Sequence, residues 1–167
     1  ELGIDNLVAG LALNPPSDDL PAFAEGLVTI AGMFAQNITD QQQMALVIEA
    51  YNLVTTEVPE YEVPDPHWNN LCWYGSIWGF PEDVMHACEL AVEMDPEDGG
   101  KRDSRGIGRT LTGDFSGAIE DFQYFVEWGE ENDVPSETIE LREAWVASLE
   151  AGSNPLDEDR LDRLRSE

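Results

Sequence analysis

Four side chains of metal-binding type stand close together in the chain: His67, Cys72, His86 and Cys88. Two thiolates and two imidazoles are a ligand set that suits tetrahedral zinc. Residues two apart on a helix point to different faces, however, so His86 and Cys88 do not converge on one ion. The pattern reads as core cysteines with partly exposed histidines, and no metal is expected. Gly106-Ile107-Gly108 follows no strand and leads into no Gly-Lys-Ser/Thr, and Gly99-Gly100-Lys101 lacks the leading glycine spacing. Neither reads as a phosphate loop. No Ser or Cys nucleophile signature is present. Carboxylates are so abundant that any pair of them could be nominated as an acid and a base, which makes the nomination empty. The expectation is a protein that is not an enzyme and holds no cofactor.

The remaining chemistry is cationic. Arg102, Arg105 and Arg109 fall on one face of a single helix. One use is internal pairing, with Glu89 and Glu93 before them or Glu120 and Asp121 after them, because buried arginine is tolerated only with partners. The alternative is an anion-binding patch for a carboxylate or an acidic peptide.

The elements that position these residues are bounded by composition. The chain has 167 residues, 42% of them hydrophobic, which suits one domain with a real core. No run of about 18 apolar residues occurs, so no membrane insertion is expected. Thirty-five acids face eight bases, and residues 1–100 contain neither Lys nor Arg. Such a surface repels phosphate backbones and anionic bilayers, so nucleic acid is not an expected partner. It would steer a basic protein or peptide, or it would serve solubility in a salty medium that screens self-repulsion. Two cysteines are too few for a disulfide framework. The chain opens on Glu1 and not Met, which suggests an excised domain or a processed product. A cytoplasmic setting is the expectation.

Helical patterns follow one another along the sequence. A short one spans 4–13, and a longer apolar one spans about 19–36. Thr39 with Gln42 signals a capping-box start for a helix to about 56. Pro59 and Pro64 make 57–65 the expected seam. Asp65-Pro66 and Pro81 then open helices over about 66–78 and 81–94. Further helices are expected near 101–112, 115–130 and 136–151. A polar last one is capped by Asn154-Pro155, with acids first and Arg160, Arg163 and Arg165 later.

Two of these helix pairs echo each other 34 positions apart, over 65–98 and 99–132. Trp78-Gly79-Phe80-Pro81-Glu82-Asp83-Val84-Met85 aligns with Thr112-Gly113-Asp114-Phe115-Ser116-Gly117-Ala118-Ile119. With Trp68, Leu71, Gly79 and the ending Ala91-Val92-Glu93-Met94-Asp95-Pro96 in the first, and Gly106, Gly113, Asp114, Phe115, Ala118, Ile119 and Phe122 in the second, the chain resembles the tetratricopeptide repeat (TPR) family. The resemblance implies an all-α, right-handed helical solenoid of about nine helices. Residues 1–57 would form a degenerate N-terminal hairpin, 65–132 the two repeats and 135–167 capping helices, in one domain. It sets Cys72 and Cys88 at facing positions, where a disulfide is conceivable in an oxidising compartment; reduced core thiols are the expected state.

By the same resemblance, the concave face is lined by the first helix of each repeat. That implies partner-binding roles for Asn69, Trp73, Ser76 and Ile77, and for Asp103, Ile107, Thr110 and Leu111. Family members that clamp a terminal carboxylate use Lys and Arg where this chain has Pro66, Asn69, Asn70, Trp73, Gly100, Asp103, Ser104 and Ile107. An apolar or helical segment of a protein or peptide is therefore the implied ligand, with Trp73 as an exposed anchor. The expected function is a non-catalytic interaction scaffold. The alternatives are a regulatory or assembly module of a larger protein, and an anion or small-ligand sensor built on Arg102, Arg105 and Arg109.

Overall fold

Prolines and acidic caps fix where the helices of this chain begin. The computed structural model describes residues 19–166, and among them all regular structure is helical. α1 spans Leu20–Ala35, α2 Gln41–Glu57, α3 Asp65–Ile77, α4 Pro81–Met94, α5 Gly99–Thr112, α6 Phe115–Glu131, α7 Ser136–Glu150 and α8 Glu158–Ser166. The helix expected over 4–13 lies outside the described residues. Proline occupies the first turn of α1, α3 and α4, where its missing N–H costs nothing. Asp40, Asp98 and Asp114 cap α2, α5 and α6 by accepting from the N–H of Gln43, Gly100 and Gly117. At α2 the reciprocal cap sits one residue later than the sequence suggested. Asp40 is the N-cap, and Gln43 Oε1 reaches back to accept from the Thr39 N–H at 2.9 Å.

The 34-residue spacing survives in the helix bounds. α3 and α5 begin at 65 and 99, and α4 and α6 at 81 and 115. The corner between each pair carries a glycine in the left-handed region, Gly79 at φ 94° and Gly113 at φ 88°, a conformation that would strain other residues. Both pairs are antiparallel hairpins, because Cys72 meets Cys88 across the first corner and Arg105 meets Asp121 across the second. The hairpins then pack α4 on α5, α3 on α5, and α6 on α7.

Equivalent positions make the contact within each hairpin, by different chemistry. Cys72 and Cys88, both fully buried, form a disulfide between α3 and α4, and this corrects the expectation of reduced thiols. Thirty-four residues on stand Gly106 and Phe122, where a Cβ added to the glycine would lie 2.7 Å from the ring. A small residue thus admits a ring in one hairpin where a covalent bond joins the helices in the other. One residue earlier on each helix, the buried Leu71 and Ala87 of the first hairpin become the buried Arg105 and Asp121 of the second.

Two apolar clusters fill the interior. The first joins α1 to α4 around Met44, Tyr51, Leu71 and Val84. Within the 57–65 stretch expected as a seam, Val58 and Val63 are buried in this cluster, at 1% and 4% exposure. The second gathers Ile77, Ile107, Phe122, Trp145 and Leu149, together with Leu156, Leu161 and Leu164 from the last segment of the chain.

Candidate functional site

The resemblance placed a groove along α3 and α5; the chain's own α8 packs on α3 and shares one apolar cluster with α3, α5 and α7. Leu161 and Leu164, one turn apart, are buried there at 8% and 3% exposure, with Leu156 at 5% from the segment leading into the helix. They share one cluster with Ile77 of α3, Ile107 of α5, and Trp145 and Leu149 of α7. Trp73, Tyr74, Trp78 and Leu111 are half-buried against the same cluster. A polar contact completes the seat. Arg165 Nε donates to the Ile77 carbonyl at 2.8 Å, at the C-terminal end of α3, and its guanidinium lies 5.0 Å from the Trp78 ring centre. A cation at that helix end meets the negative pole of the dipole, and over indole it gains a cation–π contact.

This arrangement changes the meaning of the eight predicted groove residues. Ile77 and Ile107 are fully buried in the cluster, and Ser76 and Thr110 are buried beside them. Thr110 Oγ1 donates back to the Gly106 carbonyl at 2.8 Å. Asp103 is held by Arg142, whose Nε and Nη2 donate to its two carboxylate oxygens at 2.7 Å each. These five therefore do not line an open groove. Asn69, Trp73 and Leu111 stay half-exposed, and Trp73 is not the free anchor that was expected. Leu156, Leu161, Leu164 and Arg165 are the residues sequence reasoning missed. Their only signal in the sequence is two leucines three apart in an otherwise polar helix, a pattern that a capping helix shares.

The arginine stripe is internally paired. Asp121, fully buried on α6, accepts from Arg105 Nε at 2.9 Å and Nη2 at 2.7 Å, and from Arg109 Nη1 at 3.0 Å. Glu89 on α4 accepts from Arg105 Nη1 at 2.7 Å and Arg109 Nη2 at 3.0 Å. Arg102 stacks 4.1 Å from the Tyr124 ring centre, with Asp121 3.7 Å away. Burial opposes the charge on Arg105, but the hydrogen bonds and charges of Asp121 and Glu89 outweigh it and hold the guanidinium above its ordinary pKa. The three arginines are thus occupied in joining α4, α5 and α6, not poised for an outside anion.

The histidines and cysteines are likewise spoken for. The two sulfurs are bonded to each other. His67 Nδ1 lies 3.1 Å from the Tyr51 hydroxyl, and burial lowers its pKa while raising that of the phenol. His86 Nδ1 lies 3.2 Å from the Asp83 carbonyl. The described residues hold no group of three or more His, Cys, Asp or Glu placed for a metal. One surface cleft is lined by Gln123, Val126, Glu127, Glu143 and Val146, another by Leu20, Pro21, Val58, Glu60, Tyr61 and Glu62. Neither brings a nucleophile beside a base. No helix among the described residues is long and apolar enough to cross a membrane. No protein-family model matches the chain, and no curated protein or solved structure matches it either.

Proposed function

We propose that this chain is a non-catalytic protein-interaction module that receives an amphipathic helix on the face formed by α3, α5 and α7. One observation carries the reading: that face already accommodates a helix, α8, through two leucines a turn apart and an arginine on a helix end. A surface that seats one amphipathic helix has the apolar floor and the polar rim that helix-in-groove recognition uses. The net charge of −27 favours a basic partner. The module would act by docking alone.

The pairing of Arg102, Arg105 and Arg109 within the fold weighs against the anion-sensor alternative. The test is selection of helical peptides from a random library on the folded chain, repeated on Trp73→Ala. Enriched sequences should share apolar residues at i and i+3 or i+4 and should lose affinity for Trp73→Ala. Enrichment without a helical pattern, or binding indifferent to Trp73, would remove the reading.

A further inference from the structure

The segment that covers the face is joined to it by apolar contacts and adds no positive charge to a strongly acidic chain. Leu161 and Leu164 supply the apolar contact, and Arg165 supplies the bond to the Ile77 carbonyl. Across residues 157–166, however, the three arginines are set against Asp157, Glu158, Asp159 and Asp162. Arg165 itself is shared with Glu158 Oε1 at 2.6 Å and Asp162 Oδ1 at 2.8 Å. The segment therefore brings no net positive charge to a chain whose net charge is −27. The five bases outside it, Lys101, Arg102, Arg105, Arg109 and Arg142, are all engaged in ion pairs within the fold. Nothing in that set offsets the acids that face solvent.

The attachment is also short. α8 has nine residues and follows a turn at Gly152, whose φ of 76° is left-handed. Its apolar content is Leu161 and Leu164, with Leu156 anchored just before it. A helix of this length and polarity has little stability of its own and is held by its seat.

Resting on the interaction-module reading above, we infer that α8 is a tethered occupant of the face. The partner is a basic amphipathic helix of another protein, carrying the Leu-x-x-Leu-Arg pattern of residues 161–165, that displaces it. Tethering gives α8 a high effective concentration, so an ordinary apolar helix cannot compete. A competitor with the same leucines and a net positive charge gains what α8 lacks, attraction to the acidic surface. Occupancy is thereby restricted to basic partners, and binding falls with rising salt.

The experiment uses the full chain and two fluorescein-labelled peptides. One has the sequence of residues 155–166; the other is the same peptide with Asp159→Lys and Asp162→Lys. Each is titrated by fluorescence anisotropy against wild type, against Leu161→Ala/Leu164→Ala, and against Arg165→Ala, which removes the Ile77 bond while keeping the leucines. Far-UV circular dichroism verifies folding of each variant. The basic peptide should bind wild type measurably and the native-sequence peptide should not. Freeing α8 should tighten the basic peptide by about tenfold or more, since the competent fraction of the protein rises. Raising the salt should weaken it steeply.

Equal affinity for wild type and both variants would overturn the tethered occupant and leave the interaction module standing. Binding to none of the folded proteins would overturn both. Equal binding of the two peptides would overturn the basic partner in favour of exchange of α8 between copies of this chain.

Discussion

Asp121→Ala should be among the most damaging single substitutions in the chain, and a second change should rescue it. Asp121 is fully buried and accepts three charge-assisted hydrogen bonds, two from Arg105 and one from Arg109, with the Arg102 guanidinium 3.7 Å away. Its removal leaves Arg105, nearly buried, with only the half-exposed Glu89 as partner. Breaking a buried pair from one side costs about 3–5 kcal/mol, because the surviving charge has lost both water and its partner. At about 2–4 °C per kcal/mol for a chain of this size, the melting temperature should fall by about 6–20 °C. The structure also says what to put there instead. Positions 34 residues earlier are Leu71 and Ala87, both buried in the first hairpin. Arg105→Leu together with Asp121→Ala copies those buried apolar residues and should return stability to within about 1 kcal/mol of wild type, as buried ion groups replaced by packed apolar ones commonly do. Urea unfolding of the wild type, the two single variants and the double variant closes the cycle, with an expected coupling of about 2 kcal/mol or more. A cost below about 1 kcal/mol for Asp121→Ala would show the network to be effectively solvated. A double variant no better than Asp121→Ala would refute the equivalence of the two hairpins.

Cys72→Ala/Cys88→Ala opens a bridge between residues 16 apart and should cost about 3 kcal/mol, or about 6–12 °C in a thermal melt; an unchanged melt would mean the bridge restrains nothing. The net charge of −27 should make the protein more heat-stable as chloride rises from about 0.1 to about 1 M, where the screening length drops from about 10 to about 3 Å; a flat or falling curve in calorimetry would contradict self-repulsion as a dominant surface term. His67 is half-buried against Tyr51 and its pKa is lowered by burial, so the unfolded chain takes up a proton there more readily than the folded one. Its contribution is therefore complete at neutral pH and is lost as pH falls below the ordinary value of 6.5. His67→Gln should flatten the stability–pH slope below neutrality relative to wild type, and parallel slopes would exclude His67 as its source.

Local features of the fold were legible in the sequence because they are written within a few residues. Pro81 and the corners at Gly79 and Gly113 set helix bounds by steric rules that no tertiary contact needs to supplement. The 34-residue echo likewise appears as helix starts at 65 and 99 and at 81 and 115. Glu89 and Asp121 were readable as arginine partners because they sit on the helices flanking α5. The seat of α8 was not legible. Arg165 meets Ile77 across a separation of 88 residues, and Leu161 with Leu164 reads the same whether a helix caps the end of a stack or folds back along it. The disulfide was not legible for a related reason: the resemblance to the repeat family sets the two cysteines at facing positions, while their state depends on the compartment.

The disposition of charge ties stability and docking to one variable. Every base outside α8 is engaged in an ion pair, and Arg105, Arg142 and Lys101 are buried almost completely. Salt screens such pairs far less than it screens charges in water. The surplus acids lie largely on the surface, so added salt relieves repulsion there and leaves the internal pairs in place. α8 carries nearly balanced charge, and its leucine contacts do not depend on ionic strength. A basic competitor depends on it strongly. Rising salt should therefore favour the folded chain and the α8-covered face together, and falling salt should favour exchange for a basic helix. Measured on one protein, the two responses should run in opposite directions: a melting temperature that climbs with salt and a peptide affinity that falls.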